Sequence, residues 1–314
     1  MKIESSSSIQ RQSNSLAQEI EIGLLASNPV ISPKFLYDEL GSYLFTAITR
    51  LPEYYPTDSE REIFTAHHDD IVRTIGIGGA LIDLGAGDCQ KAQSFFKTLR
   101  PSQYVAVDFS ITFLEGVIEK LKDEYQHIDM HCLGMDFTEE LVIPDWVDQK
   151  HRTFFYPGSS IGNFSQSESI LFLKRVKSQI QSGGLLLGVD LMKDESVLEA
   201  AYDDPLGVTA AFNLNILNSV NAHIESDFDI SQFKHKIKVN QERKRVELYL
   251  EPTQDTTVSW PGNTRTFRSG ELIHTENSHK YTIESIFDLL GSANFAVEKV
   301  WTDPKKYFAV VYAQ

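Results

Sequence analysis

The chain has 314 residues, 41% apolar and 23% charged, with 18 Gly, 11 Pro and 2 Cys. Collagen-like, disordered and disulfide-scaffold classes are thereby excluded, and there is material for one large or two smaller domains. A net charge of −15 with no basic stripe argues against nucleic acid or an anionic membrane as partner, and suits a cationic or zwitterionic small molecule.

The first stretch, MKIESSSSIQRQSNS, is polar and Ser-rich. It lacks the apolar core of a secretory signal and reads as a disordered tail over residues 1–16. No apolar run approaches the roughly 20 residues that span a bilayer. With Cys89 and Cys132 too few for a disulfide framework, a cytoplasmic protein is expected.

Residues from about 16 to 75 have helical character, and Thr57 with Glu60 reads as a capping box before Ile63, Phe64, Ile71 and Val72. From about residue 78 the pattern changes to short apolar runs: 81–84, 104–107, 128–133, 153–156 and 185–191. Runs this short and continuous are typical of strands buried on both faces. Their alternation with helices predicts a doubly wound, parallel α/β sheet. The alternation breaks after Asp190, with helix over about 195–225 and antiparallel strands over about 233–275. It resumes with a helix through Ile283, Ile286, Phe287 and Leu290 and two closing runs, 296–301 and 308–312. The expected organisation is a sheet domain of residues 61–194 and 283–314, with a second, discontinuous α+β domain of residues 17–60 and 195–282.

The first strand ends in LIDLGAGDCQK, where Gly85 and Gly87 let a ligand approach the backbone. Asp108 ends the second strand, about 20 residues on, where a carboxylate can accept both hydroxyls of a ribose. Asp136 ends the third, and Phe137 beside it can cover an adenine. Neither a Walker lysine nor a basic cluster for phosphates accompanies them. An adenosine ligand without phosphate, S-adenosylmethionine, meets these conditions. The fourth strand runs into FFYPGSSIGNFSQSE, where Gly158 allows close approach and Asn163 offers a donor and acceptors. Ser165 or Ser167 reads as the N-cap of the next helix.

Beyond these features, PKFLYDELGSYLF, LPEYYPTDSE, PGSSIGNF, AYDDPLGVTAAFNLNIL, TENSHKY and WTDP occur in order. Together they resemble the bacterial histidine N-alpha-methyltransferases of ergothioneine biosynthesis, from about residue 18 to the end. The resemblance implies a Rossmann-like methyltransferase sheet with a substrate domain, and trimethylation of the α-amine of L-histidine to hercynine by S-adenosylmethionine. It sets Tyr37, Gly85, Lys91, Asp108, Asp136 and Phe137 around the cofactor. Asn163 and Tyr202 would hold the substrate carboxylate, Tyr54, Glu276 and Ser278 the imidazole, and Gly158 would border the amine. Tyr37, Gly158 and Asn163 are the expected catalytic positions. No metal, nucleic acid, membrane or obligate protein partner is implied.

The chain departs from the commonest family pattern at Asp83, Ala86, Asp88 and Leu248, the last standing where a methionine is typical near the imidazole. Two other readings are compatible with the residues. One is an N-methyltransferase acting on another free amino acid or small amine; the other is a non-catalytic sensor of adenosyl ligands. The adjacent His67-His68-Asp69-Asp70 does not read as a metal site, since neighbours on a helix point different ways.

Overall fold

The computed structural model describes residues 4–109 and 111–314, with side chains from residue 15 onward. The chain divides into two compact units, residues up to Tyr54 with Asp194–Ser278, and Tyr55–Lys193 with His279–Gln314.

The first unit opens with α1 (Glu4–Leu25) and α2 (Glu39–Ile48). The tail expected over residues 1–16 thus gives way to helix from Glu4; residues 1–3 lie outside the described residues. Leu16, Ala17, Ile20 and Leu24 anchor α1 to this unit's core, and extending an anchored helix is far easier than nucleating one.

The second unit begins with α3 (Tyr55–Ala66) and α4 (His68–Ile75), and continues through β1 (Ala80–Leu84), α5 (Gln90–Gln93), α6 (Phe96–Leu99) and β2 (Gln103–Asp108). It goes on through α7 (Ile111–Glu124), β3 (Asp129–Gly134), β4 (Arg152–Tyr156), α8 (Gln166–Ser178) and β5 (Gly183–Asp190). The chain then returns to the first unit for α9 (Glu195–Tyr202), α10 (Val208–Ile224), β6 (Phe233–Asn240) and β7 (Arg245–Pro252), followed by β8 (Thr256–Trp260), β9 (Asn263–Phe267) and β10 (Ile273–His279). It closes in the second unit with α11 (Ile283–Ser292), β11 (Val297–Thr302) and β12 (Phe308–Ala313).

The first junction falls at Tyr54, before the residue-60 boundary expected, because α3 belongs whole to the sheet unit. Its Phe64 packs edge-on against Phe95 and tilts over Phe155 of β4. Thr57 does not cap this helix, which has already begun at Tyr55. Glu60 instead points inward, its carboxylate buried. Ser165 does cap α8: its hydroxyl accepts the Glu168 N–H while the Glu168 carboxylate accepts the Ser165 N–H, a complete capping box.

The seven-stranded sheet has the order β11-β12-β5-β4-β1-β2-β3. β1 through β5 pair in parallel, whereas β12 runs antiparallel to β5 and β11 antiparallel to β12. From β1 the chain winds outward through β2 and β3, then crosses back to place β4 on β1's other side. The order reverses between β1 and β4, and open α/β sheets bind ligands outside the carboxyl ends of the strands at such a point.

Successive residues of β1 face opposite layers. Ile82 and Leu84 join the core under α8 and α11, with Phe154, Tyr156, Phe172, Leu173 and Ile286. Leu81 joins the core under α3, α4 and α7, with Phe64, Ile71, Phe96 and Leu114.

The first unit has its own core, built from Ile20 and Leu24 of α1, Phe212, Ile216 and Val220 of α10, and Leu250, Trp260 and Phe267 of the strands. Its strands form a sheet of order β10-β7-β6 and a β8-β9 hairpin. Among the described residues, no helix is long and apolar enough to cross a membrane.

Candidate active site

Of the expected cofactor residues, Gly85, Lys91, Asp108, Asp136 and Phe137 lie in the second unit, after β1, in α5, at the end of β2 and in the loop after β3, whereas Tyr37 lies in the first. Gly85 and Gly87 have φ of +70° and +52°, the left-handed region that glycine enters without steric cost. The Gly85 and Ala86 N–H groups both donate to the Val107 carbonyl, at 2.8 and 3.1 Å. A Cβ built on Gly87 would meet nothing within 4 Å, and one on Gly85 only the Phe137 ring, at 3.8 Å. The backbone here is open to a ligand, with Phe137 beside it.

Asp108 Oδ2 accepts the Gly87 N–H at 3.0 Å, so the ribose-type carboxylate also braces the glycine turn. Asp136 Oδ1 accepts the Thr138 N–H at 3.1 Å and the Thr138 hydroxyl. This Asx-turn holds the loop that presents Phe137. The Phe137 ring stands edge-on to Tyr156, 6.0 Å between centroids.

Lys91, at the start of α5, forms an ion pair with Glu60 Oε2 at 2.6 Å. The other Glu60 oxygen accepts the Gly158 N–H at 2.8 Å. Gly158 itself is left-handed, with φ +79°. Asn163 ends the single 3-10 turn Ser160–Asn163 that follows and is half-buried. This turn is tied down by Ser159, whose hydroxyl accepts the Asp190 N–H at 2.8 Å.

Asp190 is the hub of a buried ionic group that the sequence reading missed. Its carboxylate accepts Tyr55 Oη at 2.7 Å, Lys193 Nζ at 2.5 Å and Lys280 Nζ at 2.6 Å. Burial would push this carboxyl up, but the two ammoniums hold it below the usual carboxylate range. Asp83 of β1 is the opposite case. Its burial beside the Tyr104 hydroxyl, 2.7 Å away, pushes it up to about 7.

An adenosyl ligand fits these residues of the second unit. The glycine backbone is open, Asp108 can accept hydroxyl protons, an aromatic ring lines the turn, and Lys91 offers an ammonium to a carboxylate. Among the described residues, no cluster of cations suited to phosphates accompanies these groups.

Of the residues expected to hold the substrate, Tyr54, Tyr202, Glu276 and Ser278 lie in the first unit and Asn163 in the second. Glu276 and Ser278 alternate along β10 and are 7% and 8% exposed. Ser278 Oγ lies 2.7 Å from the Tyr202 hydroxyl. The Tyr202 ring meets Tyr54 edge-on at 6.2 Å, Tyr54 meets Phe45 at 6.2 Å, and Phe45 meets Tyr37 at 5.6 Å. Tyr37, Tyr54 and Tyr202 thus belong to one aromatic wall. Leu248 is 1% exposed, and its carbonyl oxygen lies 3.1 Å from the Thr275 hydroxyl oxygen.

Behind β10 lies a hydrogen-bond chain that no sequence pattern announces. The Thr275 hydroxyl donates to Asn213 Oδ1 at 2.7 Å, and Asn213 Nδ2 donates to His235 Nδ1 at 2.9 Å. His235 Nε2 donates to the Tyr202 carbonyl at 2.9 Å. With one ring nitrogen accepting and the other donating, His235 is neutral, in keeping with burial holding it below the ordinary histidine range. The Tyr202 backbone and Thr275, the residue before Glu276, are therefore fixed by the same network.

Among the described residues, no three His, Cys, Asp or Glu side chains group to hold a metal ion. His68 stacks flat on Phe95 with centroids 5.0 Å apart, and Asp70 accepts the Trp301 indole N–H at 2.8 Å. Within the motif HHDD, His68 and Asp70 thus have partners in the fold.

A family model described as "Histidine-specific methyltransferase, SAM-dependent" matches residues 16–314. The histidine N-alpha-methyltransferase of Mycolicibacterium smegmatis is 34% identical over 305 residues, 95% of this chain and 94% of that protein. That of Mycobacterium tuberculosis is 34% identical over 306 residues, again 95% of this chain and 94% of the relative. Among solved structures, an S-adenosylmethionine-dependent methyltransferase from Clostridium acetobutylicum aligns with a TM-score of 0.47 and 12% identity, over 81% of this chain and 91% of that one.

Proposed function

The chain belongs to the histidine-specific, S-adenosylmethionine-dependent methyltransferase family, and from that premise we infer an enzyme that methylates L-histidine in ergothioneine biosynthesis. The reaction adds three methyl groups to the α-amine and yields the betaine hercynine. The match over residues 16–314 carries this reading, because it spans the glycine turn, Asp108 and the Tyr202–Ser278 pair together.

The cofactor, when bound, supplies a methyl group made electrophilic by its sulfonium. Transfer forms a C–N bond as the C–S bond breaks, so the acceptor must be a neutral amine held in line. Orientation and exclusion of water matter more here than a strong base. In this reading Asp108 accepts the ribose hydroxyls, Phe137 covers the adenine and Lys91 takes the cofactor carboxylate. Tyr37 also belongs to the cofactor's surroundings.

Asn163 and Tyr202 hold the substrate carboxylate, and Tyr54, Glu276 and Ser278 receive the imidazole. A ring N–H can donate to Glu276 while the other ring nitrogen faces the Ser278 hydroxyl. Gly158 leaves room for the amine. Each added methyl increases apolar bulk, and the final product is a permanent cation. The aromatic wall of Tyr37, Phe45, Tyr54 and Tyr202 supports tolerance of such a cation through its ring faces. We assign the enzyme to the cytoplasm, where Cys89 and Cys132 stay unpaired.

A second reading, methylation of another amino acid, rests on Leu248 in the position where the family typically has methionine. Mass spectrometry after incubation with S-adenosylmethionine and a panel of free amino acids decides between them. Histidine gaining three methyl groups is the expected result. Turnover of another amino acid but not histidine would overturn the assignment, and cofactor binding without turnover of any amine would indicate a sensor.

A further inference from the structure

Glu60 has no role in the site as the sequence describes it, yet its side chain is 1% exposed and ionic. A carboxylate taken so far from water must be matched by partners. Its two oxygens have different ones: Lys91 Nζ at 2.6 Å and the Gly158 N–H at 2.8 Å. The space is built for it. A Cβ on Gly188 of β5 would lie 2.3 Å from Glu60 Oε1, and one on Gly158 would lie 3.0 Å from Lys91 Nζ. Any side chain at position 188 would displace the carboxylate, and one at position 158 would crowd the ammonium.

We propose that Glu60 is a positioning residue for the amino-acid end of the cofactor, acting through Lys91. The inference rests on the reading above in which Lys91 takes the cofactor carboxylate. An ammonium has three N–H donors, so the pair with Glu60 leaves donors on the side where Lys91 is open, its side chain 39% exposed. Lysine's flexible stem loses rotamer freedom whenever its head is fixed. Glu60 imposes that loss in the folded protein, before the ligand arrives, which is preorganisation of the site. The Gly158 N–H in turn holds the carboxylate that holds the lysine. Substituting an amide breaks this arrangement without changing its size. A carboxylate accepts at both oxygens and an amide at only one, so Glu60→Gln sets an N–H₂ group against either the ammonium or the Gly158 N–H.

The test uses calorimetry with two probes, S-adenosylhomocysteine and 5′-methylthioadenosine, which lacks the amino-acid end. E60Q should bind S-adenosylhomocysteine about tenfold or more weakly, the scale of one charge-assisted hydrogen bond, and methylthioadenosine unchanged. K91M should lose affinity for the same probe alone, and K91M/E60Q should be no weaker than K91M. Equal losses for both probes would show that Glu60 only supports the fold and would overturn the proposal, as would no loss at all. Losses that add in the double variant would overturn it too, since Glu60 would then act apart from Lys91. If E60Q does not fold, K91M/E60Q, which leaves no unpaired buried charge, carries the comparison with K91M. A K91M variant with unaltered preference between the probes would instead refute the reading of Lys91 on which the proposal stands.

Discussion

The phenol oxygen of Tyr202, at the end of α9, lies 2.7 Å from the hydroxyl of Ser278 on β10. The family resemblance assigns one to the substrate's carboxylate and the other to its imidazole, yet the structure makes them a single hydrogen-bonded pair. One hydroxyl donates to the other, so in the proposed site a change at either disturbs both groups.

Tyr202→Phe and Ser278→Ala should therefore each lower kcat/KM for histidine, mainly through KM, and their effects should not add. A coupling energy of about 1 kcal/mol is expected, the scale of one net hydrogen bond. Steady-state kinetics on the two single variants and the double variant measure it. Strict additivity would mean that the two hydroxyls act independently.

Asp108→Asn should weaken S-adenosylhomocysteine binding. The carboxylate braces the Gly87 N–H and, in the cofactor reading, accepts ribose hydroxyls; losing its charge costs roughly 1.5–3 kcal/mol for a charged hydrogen bond, or about 10- to 100-fold in Kd. Calorimetry on a variant with unchanged circular dichroism checks this. Unaltered affinity would remove Asp108 from the ribose site.

Glu276 is 7% exposed and shares a face of β10 with Ser278, which is a setting for recognition of a polar ring. A pocket built to hydrogen-bond a ring rejects rings that leave its buried groups unpaired. Glu276→Ala should lower the specificity constant for histidine by about 1.5–3 kcal/mol, as for a lost hydrogen bond to a charged group. It should leave phenylalanine little affected or improved. Specificity constants for both amino acids with both enzymes give the ratio, which must fall; a constant ratio refutes the assignment.

Asp83 predicts a pH dependence of stability. Burial raises its carboxyl from 3.8 to about 7 in the folded protein, so between those values the folded state keeps a proton that the unfolded chain has released. Stability from this group accordingly falls as pH rises from about 4 to 7, and the loss is complete above 7. Asp83→Asn does not titrate. Its Tm relative to the wild type should therefore rise by several degrees between pH 5 and pH 8, at about 2–4 °C per kcal/mol. Thermal melts across that range at constant ionic strength test it, and a flat difference would show that Asp83 ionises normally.

The local chemistry of the candidate cofactor residues was legible because they lie at strand ends, where sequence and position coincide. Gly85, Gly87 and Asp108 follow short apolar runs, and a parallel sheet brings the carboxyl ends of such strands to one edge whatever the details of packing. The same pattern did not disclose the direction of the last two strands. Runs such as 308–312 are equally apolar in parallel or antiparallel pairing, and only the neighbouring β5 decides.

Residues whose roles depend on distant partners were misread or missed. Glu60 has the spacing of a capping box with Thr57, but α3 begins two residues before that threonine, and the carboxylate turns inward to Lys91 and Gly158. Asn213 and His235 stand in an apolar helix and a basic strand, with nothing in their neighbours to join them to Thr275 and Tyr202. Asp190 ends a buried strand with no local sign of the three side chains that converge on it.

Composition, periodicity and the motifs by themselves determined a mostly parallel α/β sheet, an adenosyl cofactor, a second unit formed from separated segments, and the family. Those features depend on local backbone geometry and on which residues can be buried. Tertiary structure alone decided which polar groups pair once inside: Glu60 with Lys91, Tyr202 with Ser278, Asp190 with Tyr55, Lys193 and Lys280. A buried polar group must find its hydrogen bond wherever the fold brings a partner, and that partner can lie a hundred residues away.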